Sequence, residues 1–224
     1  EIMRDDGAMA RVPDLVELCK QHSLKMCSVR QIIEHRLGRQ SLVERIEPAQ
    51  GQIIETAEGP FNLVAFRSVV DPLPHLALTV GQIGRRAGDG SVVEVPEPTL
   101  VRVHRRDLLG DIFGAGPGGG GSSADALRGS MRMIQRAGKG AIVYLRPTGA
   151  DDTLTQRLTR PFDLDEADTP RRSVPSSMVE YGTGSQILRA LGLTRIRILS
   201  NSTTEYPQLD AFGLEMVERV PIEC

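Results

Sequence analysis

The chain has 224 residues, 40% hydrophobic and 25% charged, with a formal net charge of −2. This globular composition excludes a disordered tail and a globally basic surface suited to nucleic acid, and no apolar run reaches the ~18 residues of a membrane span. Three cysteines and no tryptophan fit a reducing compartment better than a disulfide scaffold and leave the core to Leu, Ile and Val. The first residues lack the basic start and apolar stretch of a signal peptide, so the cytoplasm is the expected location.

Two short helices open the chain. Pro13 starts the first, which places Leu15, Leu18 and Cys19 on one face and runs to His22. Ser28 and Gln31 form a Ser-x-x-Gln capping box for the second, which should carry Val29, Ile32, Ile33 and Leu37 inward and end near Gly38. Strand-like runs follow at Leu42–Ile46, Gln52–Thr56, Phe61–Val69 and His75–Val80, separated by turn material at Glu58–Pro60 and Asp71–Pro74. Another strand, Thr99–His104, leads into a glycine run over 114–121. A helix is expected at 125–137, a buried strand at Ala141–Arg146, and a polar irregular stretch from Pro147 to Ser177. A helix at Gly184–Leu191 and strands at Arg195–Ser200 and Met216–Val220 complete the chain. Strands come first and helices are interspersed later, which predicts an α+β fold with a mixed sheet core and peripheral helices.

Gly114, Gly116 and Gly119 spell Gly-x-Gly-x-x-Gly after a strand. A dinucleotide site also wants a helix opening at once and an acid about 20 residues on. In so glycine-rich a run the pattern arises by chance, and a flexible loop is the favoured reading. That loop, Gly114–Ser123, and much of Ala150–Ser177 are expected to be mobile. His75, inside an apolar strand, reads as a packed, hydrogen-bonded histidine, and His22 and His35 as surface groups. Glu44 with Arg45, and Glu218 with Arg219, read as strand-surface charges, and so does the cluster Arg102, Arg105 and Arg106. A zinc site needs three or four Cys, His or carboxylate groups at about 2.0–2.3 Å. The segment 104–125 offers His104, Asp107, Asp111 and Asp125 but no thiolate, and Cys19, Cys27 and Cys224 are remote from it. A magnesium site on Asp107 and Asp111 is conceivable in hard-oxygen terms; the default for two such acids is a solvated charge.

The run Arg102-Val-His-Arg-Arg-Asp-Leu-Leu-Gly-Asp-Ile-Phe113 resembles the metal-binding segment of GTP cyclohydrolase II, the zinc enzyme that opens GTP in riboflavin synthesis. That family reads Arg-Val-His-Ser-Glu-Cys-Leu-Thr-Gly-Asp-Val-Phe and then Arg-Cys-Asp-Cys-Gly. Asp107 stands where the first cysteine belongs, and glycines replace the other two. Ser41–Arg45, Phe61–Arg67, His75–Leu78, Tyr144–Arg146, Tyr181–Leu188 and Gly213–Pro221 match the family in order. The departures fall where the resemblance places chemistry. Pro147–Leu154 lacks the guanine-reading glutamate, Ser177-Met-Val179 stands for a catalytic Asp-x-Arg pair, and Glu205 replaces a phosphate-binding lysine. The opening Glu1-Ile-Met-Arg-Asp-Asp-Gly-Ala-Met-Ala-Arg11, with Pro13-Asp-Leu15, is similar to the end of 3,4-dihydroxy-2-butanone 4-phosphate synthase. Its substrate-contacting glutamate would be Glu1.

The resemblance thus implies residues 1–40 as the C-terminal remnant of a synthase domain and 41–224 as a cyclohydrolase-like domain. It implies a relic nucleotide pocket of Arg102, His104, Asp107, Asp111 and Arg146, no catalytic residues and no zinc; magnesium would belong only to the missing part of the synthase. The expected partners are a second copy, as a homodimer, and a fused or associated synthase domain. Three functions compete: an inactive module that supports or regulates the synthase, a nucleotide- or flavin-binding sensor, and a cyclohydrolase with a rebuilt metal site on His104, Asp107 and Asp111.

Overall fold

A computed structural model describes residues 2–4, 6–28, 31–32, 35, 41–68, 71–116, 122–146, 176–202 and 209–223. The expectations for Glu1, the glycines beyond Gly116, 147–175 and Glu205 lie outside them, as do the side chains of Ser177 and Val179. The chain divides into two compact units, Glu1–Arg36 and Leu37–Cys224.

In the first unit, helix α1 spans Val12–Gln21, with proline in its first turn and Asp14 accepting a hydrogen bond from the Arg11 amide at 2.7 Å. Its apolar side chains Leu15, Val16, Leu18 and Cys19 are half-buried. The Ser28–Gln31 box forms as the sequence predicts: the Gln31 amide donates to Ser28 Oγ at 3.1 Å, and the Ser28 amide to Gln31 Oε1 at 2.8 Å. Ile32, expected inward, is 48% exposed, because so small a unit encloses little volume.

The second unit is a mixed sheet. Strands β1 (Val43–Arg45), β2 (Gln52–Thr56), β3 (Gly59–Ser68) and β4 (Asp71–Val80) form its antiparallel half, with β1 and β2 both pairing β3. Strand β6 (Gly140–Leu145) joins that half antiparallel to β4. On its other side it runs parallel to β5 (Thr99–Arg105), followed by β7 (Arg195–Leu199) and β8 (Glu215–Val220). The order is β1-β3-β4-β6-β5-β7-β8, which is the α+β architecture expected.

Asp71–Pro74 is not a turn but the start of β4. The reason is that β4 meets β6 only from Leu76 onward, so Pro72 and Pro74 sit where no donor to β6 is needed.

Side-chain alternation sets the layers. On β6, Ala141, Val143 and Leu145 join Ile187 and Leu188 of helix α4 (Ser176–Ala190), and Leu191 just beyond it, in one buried cluster. Ile142 joins Met131 and Ile134 of helix α3 (Ser123–Ala137) in a second. The sheet is therefore covered on both faces, and β6 is buried along almost its whole length. At the sheet edge the pattern weakens. Met216 and Val217 of β8, expected in the core, are 38% and 41% exposed, because an edge strand has a neighbour on one side only.

Arg45 is the clearest departure from expectation. Instead of a surface charge it is a half-buried clamp: Nη1 donates to Ala49 O (3.0 Å) and Gly84 O (2.7 Å), and Nη2 to Ala190 O (2.6 Å) at the end of α4. The guanidinium also lies over Phe66. Burial first, and then Arg86, lower its pKa from the usual arginine value.

Candidate functional site

After β5 the chain turns into a short helix unforeseen in the sequence, α2 (Leu108–Phe113). Asp107 caps it by accepting from the Gly110 amide at 3.1 Å, and Gly114 ends it in the left-handed conformation (φ 68°). Helix α3 begins at Ser123 with a capping box between Ser122 and Asp125, so Ser122 and Ser123 form the start of a helix.

The connection β5–α3–β6 covers one face of the sheet and β6–α4–β7 the other, while β6 and β7 flank β5 on opposite sides. The carboxyl ends of β5 and β7 therefore form a topological switch point, where open α/β sheets place their ligand crevice. Arg102, His104 and Asp107 fall on or just after β5, and Arg146 just after β6.

Asp111 is the hub of this region. Its Oδ1 lies 2.9 Å from His104 Nε2; its Oδ2 accepts from the Tyr144 hydroxyl at 2.7 Å and from the Asp107 amide at 3.0 Å. Ser123 Oγ stands 3.2 Å from the same His104 nitrogen. The His104 and Asp111 side chains are only 2% and 6% exposed, so Asp111 is not the solvated charge expected. The His104 and Tyr144 rings stack at 5.5 Å, an outcome of β-register, since the two residues are direct partners in the β5–β6 ladder. Burial raises the Asp111 pKa, but hydrogen bonds from His104, Ser123, Tyr144 and the Asp107 amide outweigh it and hold the carboxyl far below its ordinary range. Burial and Asp111 together push the Tyr144 phenol up. An ionised carboxylate only accepts, so His104 Nε2 carries the proton facing it. Its Nδ1 is buried and makes no hydrogen bond.

Of the sequence-predicted residues, the structure brings His104, Asp107 and Asp111 together. Arg102 donates from Nη1 to Leu199 O, the last carbonyl of β7, at 3.0 Å. The Arg146 amide donates to His75 Nδ1 at 3.1 Å, which accounts for the packed histidine, and the Arg146 Nε is buried without a hydrogen-bond partner. Tyr144 and Ser123 were missed. Tyr144 could have been found by pairing the strands, whereas Ser123 gave no signal.

This arrangement does not fit a zinc centre of the kind the GTP cyclohydrolase II pattern carries. No thiolate lies in the segment, both Asp111 oxygens and His104 Nε2 are engaged, and one Asp107 oxygen caps α2. Among the described residues no cluster of three His, Cys, Asp or Glu side chains is placed to hold a metal. Nor is it a nucleophilic triad. Serine and carboxylate meet the same imidazole nitrogen, whereas a general base must receive the hydroxyl proton on one nitrogen and be oriented through the other.

The sequence pattern of GTP cyclohydrolase II matches residues 47–221. The chain belongs to the GTP cyclohydrolase II family. It is 36% identical to the riboflavin biosynthesis protein RibBA of Phocaeicola vulgatus, over all of this chain and 52% of that protein. It is 38% identical to a chloroplastic bifunctional riboflavin biosynthesis protein of Arabidopsis thaliana, over 99% of this chain and 39% of that one. The chain thus spans about half the length of the bacterial relative. Among solved structures, RibBX, a two-domain 3,4-dihydroxy-2-butanone 4-phosphate synthase from A. baumannii, superimposes with a TM-score of 0.59 over 100% of this chain and 53% of that one. At 22% identity that likeness carries the fold. No helix among the described residues is long and apolar enough to cross a membrane.

Proposed function

We propose that this chain is a catalytically inactive GTP cyclohydrolase II-like module of a riboflavin biosynthesis protein, which supports or regulates a fused 3,4-dihydroxy-2-butanone 4-phosphate synthase. Residues 1–40 would be the end of that synthase domain and 41–224 the cyclohydrolase-like part, self-associating as a homodimer in the cytoplasm. The observation that carries the reading is the state of the family's metal segment. It offers no thiolate, and His104 and Asp111 are turned on each other. The sequence adds Val179 and Glu205 where the resemblance places an arginine and a lysine. A carboxylate in the place of a phosphate-binding lysine repels a triphosphate, and a bound metal supplies neither of the lost groups. The decisive assay is GTP turnover by the purified chain with zinc or magnesium added. No formamidopyrimidine product is expected. Product that scales with protein concentration overturns the reading.

A second reading, a nucleotide- or flavin-binding sensor, has its own support in the switch point at the ends of β5 and β7. Arg102 lies on β5 and Arg146 just after the neighbouring β6, the latter with a buried Nε that makes no hydrogen bond. Calorimetric titration with GTP and with FMN separates the two, because the inactive support module binds neither tightly.

A further inference from the structure

We infer that Asp111, with His104, Tyr144 and Ser123, is a metal-free staple that fixes α2 and the start of α3 on the β5–β6 ladder. This inference concerns folding and stands whether or not the chain turns over GTP.

A zinc centre gathers anionic and neutral donors from several elements around one buried cation. Here the polarity is reversed, with one buried anion gathering N–H and O–H donors. The four side chains come from four elements: His104 from β5, Asp111 from α2, Ser123 from the first turn of α3, and Tyr144 from β6. The Asp107 amide adds a donor from the turn between β5 and α2. Few other contacts could do this work. Ile112 and Phe113 of α2 are 63% and 75% exposed, so apolar packing holds the helix weakly, and only Gly110 of α2 is buried. The cap closes the remaining gap. A Cβ on Gly110 would lie 2.4 Å from Asp107 Oδ2 and 2.8 Å from Ser123 Cβ, so the backbone of α2 approaches α3 as closely as glycine permits. Charge-assisted bonds in a buried setting are the stronger kind, and here they converge on one carboxylate from three elements and a turn.

The test measures thermal unfolding and hydrogen exchange on the whole chain, with chelator and with one equivalent of zinc. In wild type, chelator and zinc should leave both unchanged. Tyr144→Phe removes one hydroxyl and keeps the ring stacked on His104. It should lower Tm by about 2–6 °C and speed exchange at 107–113 and 122–126, while β7 and β8 stay protected. Asp111→Asn should do the same more strongly; should that variant fail to fold, Tyr144→Phe alone decides. Two results overturn the inference: stabilisation of the wild type by stoichiometric zinc, or variants in which exchange at 107–113 is unchanged.

Discussion

Donors converge on Asp111 where little solvent is left to serve it: its side chain is 6% exposed. An acid held in that way makes stability depend on pH with a definite sign. Its folded pKa is depressed, so its contribution is complete above the unfolded carboxylate value of about 3.9. That contribution is lost as pH falls below this value toward the folded pKa. Tyr144 works at the other end. Its folded pKa is raised, so its share is present below the ordinary phenol value of about 10 and is lost as pH rises beyond it. Urea midpoints measured across pH should therefore fall off on both sides, and Tyr144→Phe should remove the alkaline loss while Asp111→Asn flattens the acid one. Arg45 gives a second residue-scale test. Arg45→Met keeps much of the apolar stem but leaves the carbonyls of Gly84 and Ala190 without their donor, which should destabilise by about 2–4 kcal/mol in urea. A loss under ~0.5 kcal/mol would return Arg45 to the surface-charge role that its sequence position suggested.

Gly192 lies between α4 and β7, where the chain must reverse. Its φ is +86°, and an added Cβ would stand 2.3 Å from the carbonyl oxygen of Val93, while the Gly192 carbonyl itself accepts from Val95. Gly192→Ala should thus destabilise by roughly 2–4 kcal/mol, from backbone strain plus the clash, and a Tm unchanged within error would contradict that. Elements were legible where local pattern decides them. Gln52–Thr56 falls where a strand-like run before turn material predicts it, and the Ser28–Gln31 box forms as read. The misses have physical reasons. Helix α2 is too short for periodicity to register, and its start is set by the Asp107 cap. Pro72 and Pro74 read as breakers because nothing local reveals which side of β4 needs donors. The candidate site was legible only in part: His104 and Asp111 stand in one run of sequence, but Tyr144 meets them through strand register and Ser123 through helix placement. Both are tertiary facts. The same limit made Asp111 look solvated.

The proposed supporting role requires a scaffold that is kept intact. Phe61, Phe66, Ile142, Leu191 and Ile196 are fully buried, both faces of the sheet are covered, and His104, Tyr144 and the Asp107 amide engage Asp111 in the segment after β5. A chain drifting without function would lose packing as readily as chemistry, since most substitutions in a core destabilise. An intact core beside a metal segment without thiolates is what the proposed supporting role would leave behind. These relatives are about twice as long as this chain, and the proposed support would act on a domain like the one in their remaining half. In a protein that carries this chain behind a complete synthase domain, deleting everything after Gly38 should lower synthase turnover, lower Tm, or change the oligomeric state. Size-exclusion chromatography with light scattering, calorimetry and a ribulose 5-phosphate assay read the three outcomes separately. A truncated synthase equal to the intact protein in all three would leave this module without the role proposed for it. Val179→Arg and Glu205→Lys in the intact protein serve as the companion control. Restoring these charges without thiolates should leave synthase activity where it was and should not create GTP turnover, because the zinc-bound nucleophile and Lewis acid remain absent.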